Sequence, residues 1–323
     1  MRCDRPHSHG VILSVPNIFK SGQAVFSGTG SFNLNTLTNI QMNTGFKEHV
    51  ENAAGQISPS YIAMISQDAH VSAQTSELSV AIAGGMTGPL AFSGGGSGIT
   101  SVTMYMTEAA NMGTIGGSST HFKTVITQGL ALLKNLSCSQ GAVAHGSVEI
   151  VPCYDGTNAP FGYTSGVSLP ATPLVQEQFT LGPAEINGTT ITGVKNMEID
   201  FGFNIQKVSS DGDVYPTYVF IDSMKPRITL TLTDASNLNT FTLNGTAQGA
   251  TASHFYLQKM SLGATRVAAG TSAHIKVTVN ASQGMYWVSD ASLQQTTGEC
   301  KLIGMPIVGS SAVLTIATGS AIT

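Results

Sequence analysis

Two carboxylates, Glu198 and Asp200, stand two residues apart in the run Met197-Glu198-Ile199-Asp200-Phe201-Gly202-Phe203-Asn204-Ile205-Gln206. On an extended strand such a pair points to one face, which is the arrangement a glycosidase needs for its acid and base. No aromatic sugar platform accompanies the pair, and the positions that an internal repeat sets against it, Thr44 and Phe46, carry no acid. A solvated strand face is the better reading.

Histidines raise the same question. His121 precedes Phe122 as His254 precedes Phe255, and His145 and His274 each follow an alanine. Catalysis would need a nucleophile or acid held beside them, whereas recurring placement suits a structural hydrogen bond. Cys3, Asp4, His7 and His9 are metal-ligand types without zinc-site spacing, and they read as a terminal tail. Cys3, Cys138, Cys153 and Cys300 lie far apart with no C-x-x-C pair, as expected of free thiols in a reducing compartment. The G-x-S-x-G elbow, the phosphate loop, H-E-x-x-H and the EF-hand loop are all missing from the sequence. These observations predict a non-enzymatic chain with no catalytic residues, cofactor or metal.

The elements that would position these residues are strands. Met197, Ile199, Phe201, Phe203 and Ile205 alternate with Glu198, Asp200, Gly202, Asn204 and Gln206, giving one dry and one wet face. Arg227–Thr233 and His274–Val279 alternate in the same way. Helical signal is thin: Thr107–Asn111, Phe122–Leu136 and a short segment from Asp234 to Leu238 are the candidates. Ala83–Thr100, with Gly84, Gly85, Gly94, Gly95 and Gly96, reads as a flexible arm that could reach a neighbouring subunit.

Composition agrees with an assembling protein. Charged residues are 10% of the 323, well below the roughly 25% usual for a soluble globular chain. The formal net charge of -4 gives no basic footprint for gripping nucleic acid, although enclosing it without gripping is compatible. Neither a membrane-spanning apolar run nor the charged-then-apolar order of a signal peptide is seen, so no membrane insertion is expected.

Four colinear matches suggest an internal repeat. Phe32–Met42 resembles Ile186–Asn196 at an offset of 154, and Ser58–Ala73 lines up with the stretch after Val214 at an offset of 157. Phe122 and its predecessors match Phe255 and its own, and Ala144–Pro152 matches the stretch from Ala273. Prolines 152, 160, 170, 173 and 183 mark the join. The expected organisation is an extension over 1–25, a first lobe over 26–155, a linker over 156–179 and a second lobe over 180–323.

The stretches from Ile186 (INGTTITGVKNMEIDF), Ser209 (SSDGDVYPT) and Tyr218 (YVFIDSMKPRITLTLTD), with the fainter TLTNIQM and SPSYIAMISQDAHVSA, resemble the major tail tube proteins of tailed bacteriophages, of the two-lobed type. The resemblance implies a mainly β fold of two related β-sandwich or barrel-like lobes, each with a short helix. It further implies trimeric pseudo-sixfold rings that stack into a tube for DNA delivery within the virion tail, assembled in the host cytoplasm. Tape-measure, baseplate and tail-terminator proteins would be partners, and double-stranded DNA would pass without specific contacts. Glu198, Asp200, Asn204 and Gln206 would face the lumen, with Gln41–Glu48 as the first-lobe counterpart; Phe46 and Lys47 break the alternation there. The alternative is a two-domain β-sandwich that binds a receptor or sits on a virion surface.

Overall fold

The computed structural model describes residues 19–93, 98–108, 121–170, 173–175, 177–210, 212–233, 241, 245–263, 265–292, 299–306 and 314–323. The first half of the chain carries β1 (Phe19–Gly28), β2 (Phe32–Asn43), β3 (Phe46–Glu51), β4 (Tyr61–Gln67) and β5 (His70–Thr75), then the helix α1 (Leu78–Ala83). It continues through β6 (Leu90–Phe92), β7 (Ile99–Glu108), β8 (His121–Ile126), β9 (Gly129–Ser139), β10 (His145–Pro152) and β11 (Gly162–Val167). The second half carries β12 (Gln178–Ile186), β13 (Thr189–Ile191), β14 (Val194–Asp200), β15 (Phe203–Val208), β16 (Tyr218–Met224) and β17 (Arg227–Leu232). It ends with β18 (Thr246–Ala247), β19 (Ser253–Met260), β20 (His274–Val279), β21 (Gly284–Ser292), β22 (Glu299–Pro306) and β23 (Thr315–Ser320).

This corrects the expectation of two related sandwich or barrel-like lobes with a helix each. Among the described residues the strands form four sheets, none of which closes on itself, and the largest, of 14 strands, runs through both halves of the chain. The halves are joined where β9 pairs antiparallel with β14, so a continuous ladder lies where a linker between separate sandwiches was expected. Among the described residues α1 is the single helix. Phe122–Leu136, a helix candidate in sequence, forms β8 and β9. Its run Gly129–Leu133 is buried throughout, and a short apolar run has no periodicity with which to distinguish buried strand from buried helix. The expected 1–25 extension reaches into β1, and the 156–179 stretch contains β11. The Asp234–Leu238 candidate lies outside the described residues, as do Ala109–Asn111.

What recurs is a pairing order. Within the large sheet β2-β5-β10-β9 is followed by β14-β17-β22-β21, and the connecting hairpins β3·β4 and β15·β16 each form a separate two-stranded sheet. The turns into and out of these hairpins match residue by residue. Asn43 Oδ1 accepts the Gly45 amide at 2.8 Å and Asp200 Oδ1 accepts the Gly202 amide at 2.8 Å. Asp68 N donates to Gly45 O, and Lys225 N donates to Gly202 O, each at 3.0 Å. Tyr61 and Tyr218 both begin the return strand, as the 157 offset requires. The offset of 154 in the first matched block is a three-residue slip, because Leu34 and Ile191 hold the buried positions opposite Ala24 and Ala184. The last two blocks are chance likenesses: His121 opens β8 while His254 lies in β19, and His145 opens β10 while His274 opens β20.

Packing follows the alternation. Val71, Ala73, Leu136, Cys138, Val148, Ile150, Met197, Ile199, Ile228, Leu230, Cys300 and Leu302 are all buried on one side of the large sheet. α1 adds Leu78 and Ala81 to the same core. Glu77, just ahead of α1, is also buried; its carboxylate accepts the backbone amide of Asn35 and, at 3.3 Å, the Asn35 side-chain amide.

Two outcomes test this packing. Gly202 has φ 61°, and a Cβ there would collide with the Lys225 carbonyl, so Gly202→Ala is expected to lower stability by about 1–3 kcal/mol in denaturant melts. Burial, opposed by the Asn35 hydrogen bonds, raises the Glu77 pKa above its ordinary 4.5. The folded chain therefore holds this proton more tightly than the unfolded chain, and the group's effect is least unfavourable below pH 4.5 and worsens as pH rises through the folded pKa. Glu77→Gln should be less sensitive than wild type to raising the pH from below 4.5 to neutrality, and parallel pH profiles would refute that origin.

Candidate functional site

From β2 to β21 the opposite side of the large sheet is mainly polar, interrupted by buried Leu132 opposite Glu149 and by buried Ile303 and half-buried Trp287 in the row of Glu198 and Thr229. Residues directly opposite on paired strands share a face, and three rows show what this one carries. Gln41, Ser72 and Glu149 align across β2, β5 and β10. Ser147, Asn135, Asp200 and Arg227 align across β10, β9, β14 and β17. Asn196, Thr231, Lys301 and Asp290 continue across β14, β17, β22 and β21. Each of these side chains is half-buried or exposed; in the middle strands the neighbours on the other face are buried, while at the flanks Ile40, Met42 and Ala291 are only partly buried.

Charge on this face is sparse and largely balanced. Lys134 Nζ lies 3.0 Å from Glu149 Oε2, and Lys195 pairs with Glu299. Glu198 is half-buried between Ser137 and Thr229, and Asn135 Nδ2 approaches its Oε1 at 3.5 Å. Asp200 is exposed and accepts the Gly202 amide at the turn. That turn breaks the long strand expected over 197–206, so Asn204 and Gln206 lie on β15, in the small second hairpin. Both are exposed, and Asn204 Nδ2 donates to Asp222 Oδ2 at 3.1 Å. The structure thus brings Glu198 and Asp200 together with Asn135, Ser137 and Arg227, and sets Asn204 and Gln206 apart from them. Gln41 and Asn43 fall within the Gln41–Glu48 stretch named in the sequence, whereas Ser72, Asn135, Ser137, Glu149 and Asp290 were not singled out, although the polar–apolar alternation of each strand carried the signal.

The glycine tract divides. Gly84 closes α1, its amide donating to Val80 O at 2.8 Å, and a Cβ there would sit 2.6 Å from the Phe32 ring. Gly85 follows at φ 87°, and Met86, Leu90 and Phe92 are buried. This part is packed inward, contrary to a freely extending arm; Gly94, Gly95 and Gly96 lie outside the described residues.

Apolar surface gathers instead on the hairpins. Phe46, Val50, Tyr61, Ile62 and Ile65 of β3·β4 are exposed, as is Ile57 at 98% in its loop. The second hairpin exposes Val208, Tyr218 and Phe220, but its loop is seated on the first half of the chain. Gln67 N donates to Val214 O and Tyr154 N to Pro216 O, each at 2.8 Å, and Lys207 pairs with Asp68.

The His274 ring accepts Lys259 N at Nδ1, at 3.0 Å, and its Nε2 lies 3.0 Å from Ala268 O. Among the described residues no group of three or more His, Cys, Asp or Glu could hold a metal ion; Cys3, Asp4, His7 and His9 are outside them. A cleft of about 660 Å³ beside α1 includes the Glu177–Lys259 ion pair in its wall. Burial pushes the Cys138 and Cys153 thiols up to about 11, and raises Cys300.

No family model matches this chain, and no curated protein gives a significant match.

The cysteines give a direct test of the packed sheet. Thiolate is the species that alkylates, so Cys138, Cys153 and Cys300 should stay unmodified by iodoacetamide in the native protein at mildly alkaline pH and react fully in denaturant. Peptide mass mapping resolves each site, and rapid native labelling of any of the three would contradict its burial.

Proposed function

We propose that this chain is the structural subunit of a phage tail tube, three copies forming a pseudo-sixfold ring and rings stacking into a hollow conduit for double-stranded DNA. The observation that supports this most directly is the polar sheet face, eight strands wide from β2 to β21, with one apolar core behind it. Such a face is wider than a single ligand site requires. As the wall of a channel it suits a passing polyanion: Ser, Thr, Asn and Gln keep it hydrated, and its few cations face carboxylates. Unpaired cations repeated along a tube would hold phosphate at every ring.

On this reading Glu198 and Asp200 line the channel, and the apolar β3·β4 hairpin is covered by neighbouring subunits. The tape-measure, baseplate and tail-terminator proteins would then meet the tube at its interior and its ends, in the virion tail. The chain performs no turnover; confinement is its function.

Electron microscopy of the concentrated purified protein is expected to show rings and stacked tubes. Isolated particles at all concentrations would overturn the proposal and favour a receptor-binding or virion-surface module. Within assembled tubes, Glu198→Lys reverses a wall charge without touching the turn that Asp200 holds. Those tubes should retain DNA in low salt and release it as salt rises, whereas wild-type tubes should not. Equal, salt-insensitive behaviour of the two would remove Glu198 from the channel wall.

A further inference from the structure

The large sheet contains a junction between its two four-strand blocks, and among the described residues it leaves the complementary segments of β2 and β21, beyond their pairing with β1 and β18, with a ladder on one side only. Inside the chain, β9 pairs with β14 through Asn135·Asp200, Leu136·Ile199 and Ser137·Glu198. β2 holds the position in the first block that β14 holds in the second, because Asn43 and Asp200 make the same turn contact. β21 holds the position of β9: each carries one extra residue, Lys134 or Ser289, at the same step of its ladder with β10 or β22. Among the described residues, Thr38–Asn43 of β2 pairs only with β5, and Trp287–Ser292 of β21 pairs only with β22. These are the two edges that β14 and β9 use to join each other.

We propose that copies of this chain associate head to tail by antiparallel pairing of β21 in one copy with β2 in the next, in the register of the internal β9·β14 junction. That register sets Asp290 opposite Asn43, Ala291 opposite Met42 and Ser292 opposite Gln41. The chemistry of the internal junction is preserved at each step. The Asn·Asp pair recurs with its partners exchanged, the apolar Leu·Ile step becomes Ala·Met, and Ser·Glu becomes Ser·Gln. Met42 and Ala291 are partly buried against the core, and Gln41 and Ser292 are exposed.

A second observation fits the same placement. The β15·β16 hairpin has its loop seated on the half that lies across the β9·β14 junction, through Val214 O and the Gln67 amide. Ile57 occupies the corresponding place in the β3·β4 hairpin and is 98% exposed, its carbonyl accepting Asn52 Nδ2 of the same hairpin at 3.5 Å. Pairing β2 against β21 of another copy brings that loop over the neighbour's Met224, the counterpart of Gln67.

The inference rests on the tube reading for its biological setting, but its register can be tested separately. Gln41→Cys combined with Ser292→Cys, oxidised after assembly, should yield intermolecular disulfides and a ladder ending at the closed ring. The displaced pair Thr38→Cys with Ser292→Cys should yield almost none, and mixing the two single variants should stop at dimers. Tubes that assemble normally without Gln41–Ser292 cross-links would overturn the register and leave the tube reading standing. Efficient cross-links in small rings that never stack would support the register and count against the tube. A chain that stays monomeric at all concentrations, with no cross-link, would overturn both.

Discussion

The ladder between β9 and β14 is the contact on which the architecture depends. Each β-strand must satisfy its backbone amides and carbonyls on both sides or leave an open edge. By pairing Asn135–Ser139 with Asn196–Asp200, the chain turns two narrower blocks into one broad sheet with one apolar and one mainly polar side. Ile199 and Leu136 meet at that seam and are both buried, so the ladder also makes the core continuous across the middle of the chain. The hairpins, the helix and the smaller sheets are arranged around this wall.

Much of the local pattern was readable in the sequence, and the way it assembled was less so. The alternation of Met197 and Ile199 with Glu198 and Asp200 gave the two faces of β14, because a period of two is imposed by the strand itself. The 157 offset set Tyr61 against Tyr218, and each of them begins a return strand. The strand break at Gly202 was not read, since apolar residues keep alternating through Phe203 and Ile205 while the backbone swings into a different sheet. Short Ser- and Thr-rich strings such as those before Phe122 and Phe255 aligned by composition, and composition does not fix a neighbour. The seam itself could not be read, because long-range pairing depends on which strand edges remain free once every other strand has found its place.

The low charge of the chain acquires a location in the structure. Lys134 with Glu149 and Lys195 with Glu299 neutralise one another along the polar wall, while Lys207 with Asp68 fastens the second hairpin to the first half. Exposed ion pairs of this kind contribute little stability. Their consequence lies in the field they leave behind, a wall with strong hydration and little net pull on a polyanion.

The extra residues Lys134 and Ser289 bear on shape as well as on register. A bulge bends its strand and increases local twist, and these insertions sit on β9, the strand that forms the seam with β14, and on its counterpart β21. A repeated head-to-tail join closes only when the rotation per unit divides a full turn, and otherwise winds into an open ribbon. Two residues out of register with their partner strands would thereby act as the angular gauge of the assembly, setting circumference in much the way that the taper of a stone sets the span of an arch.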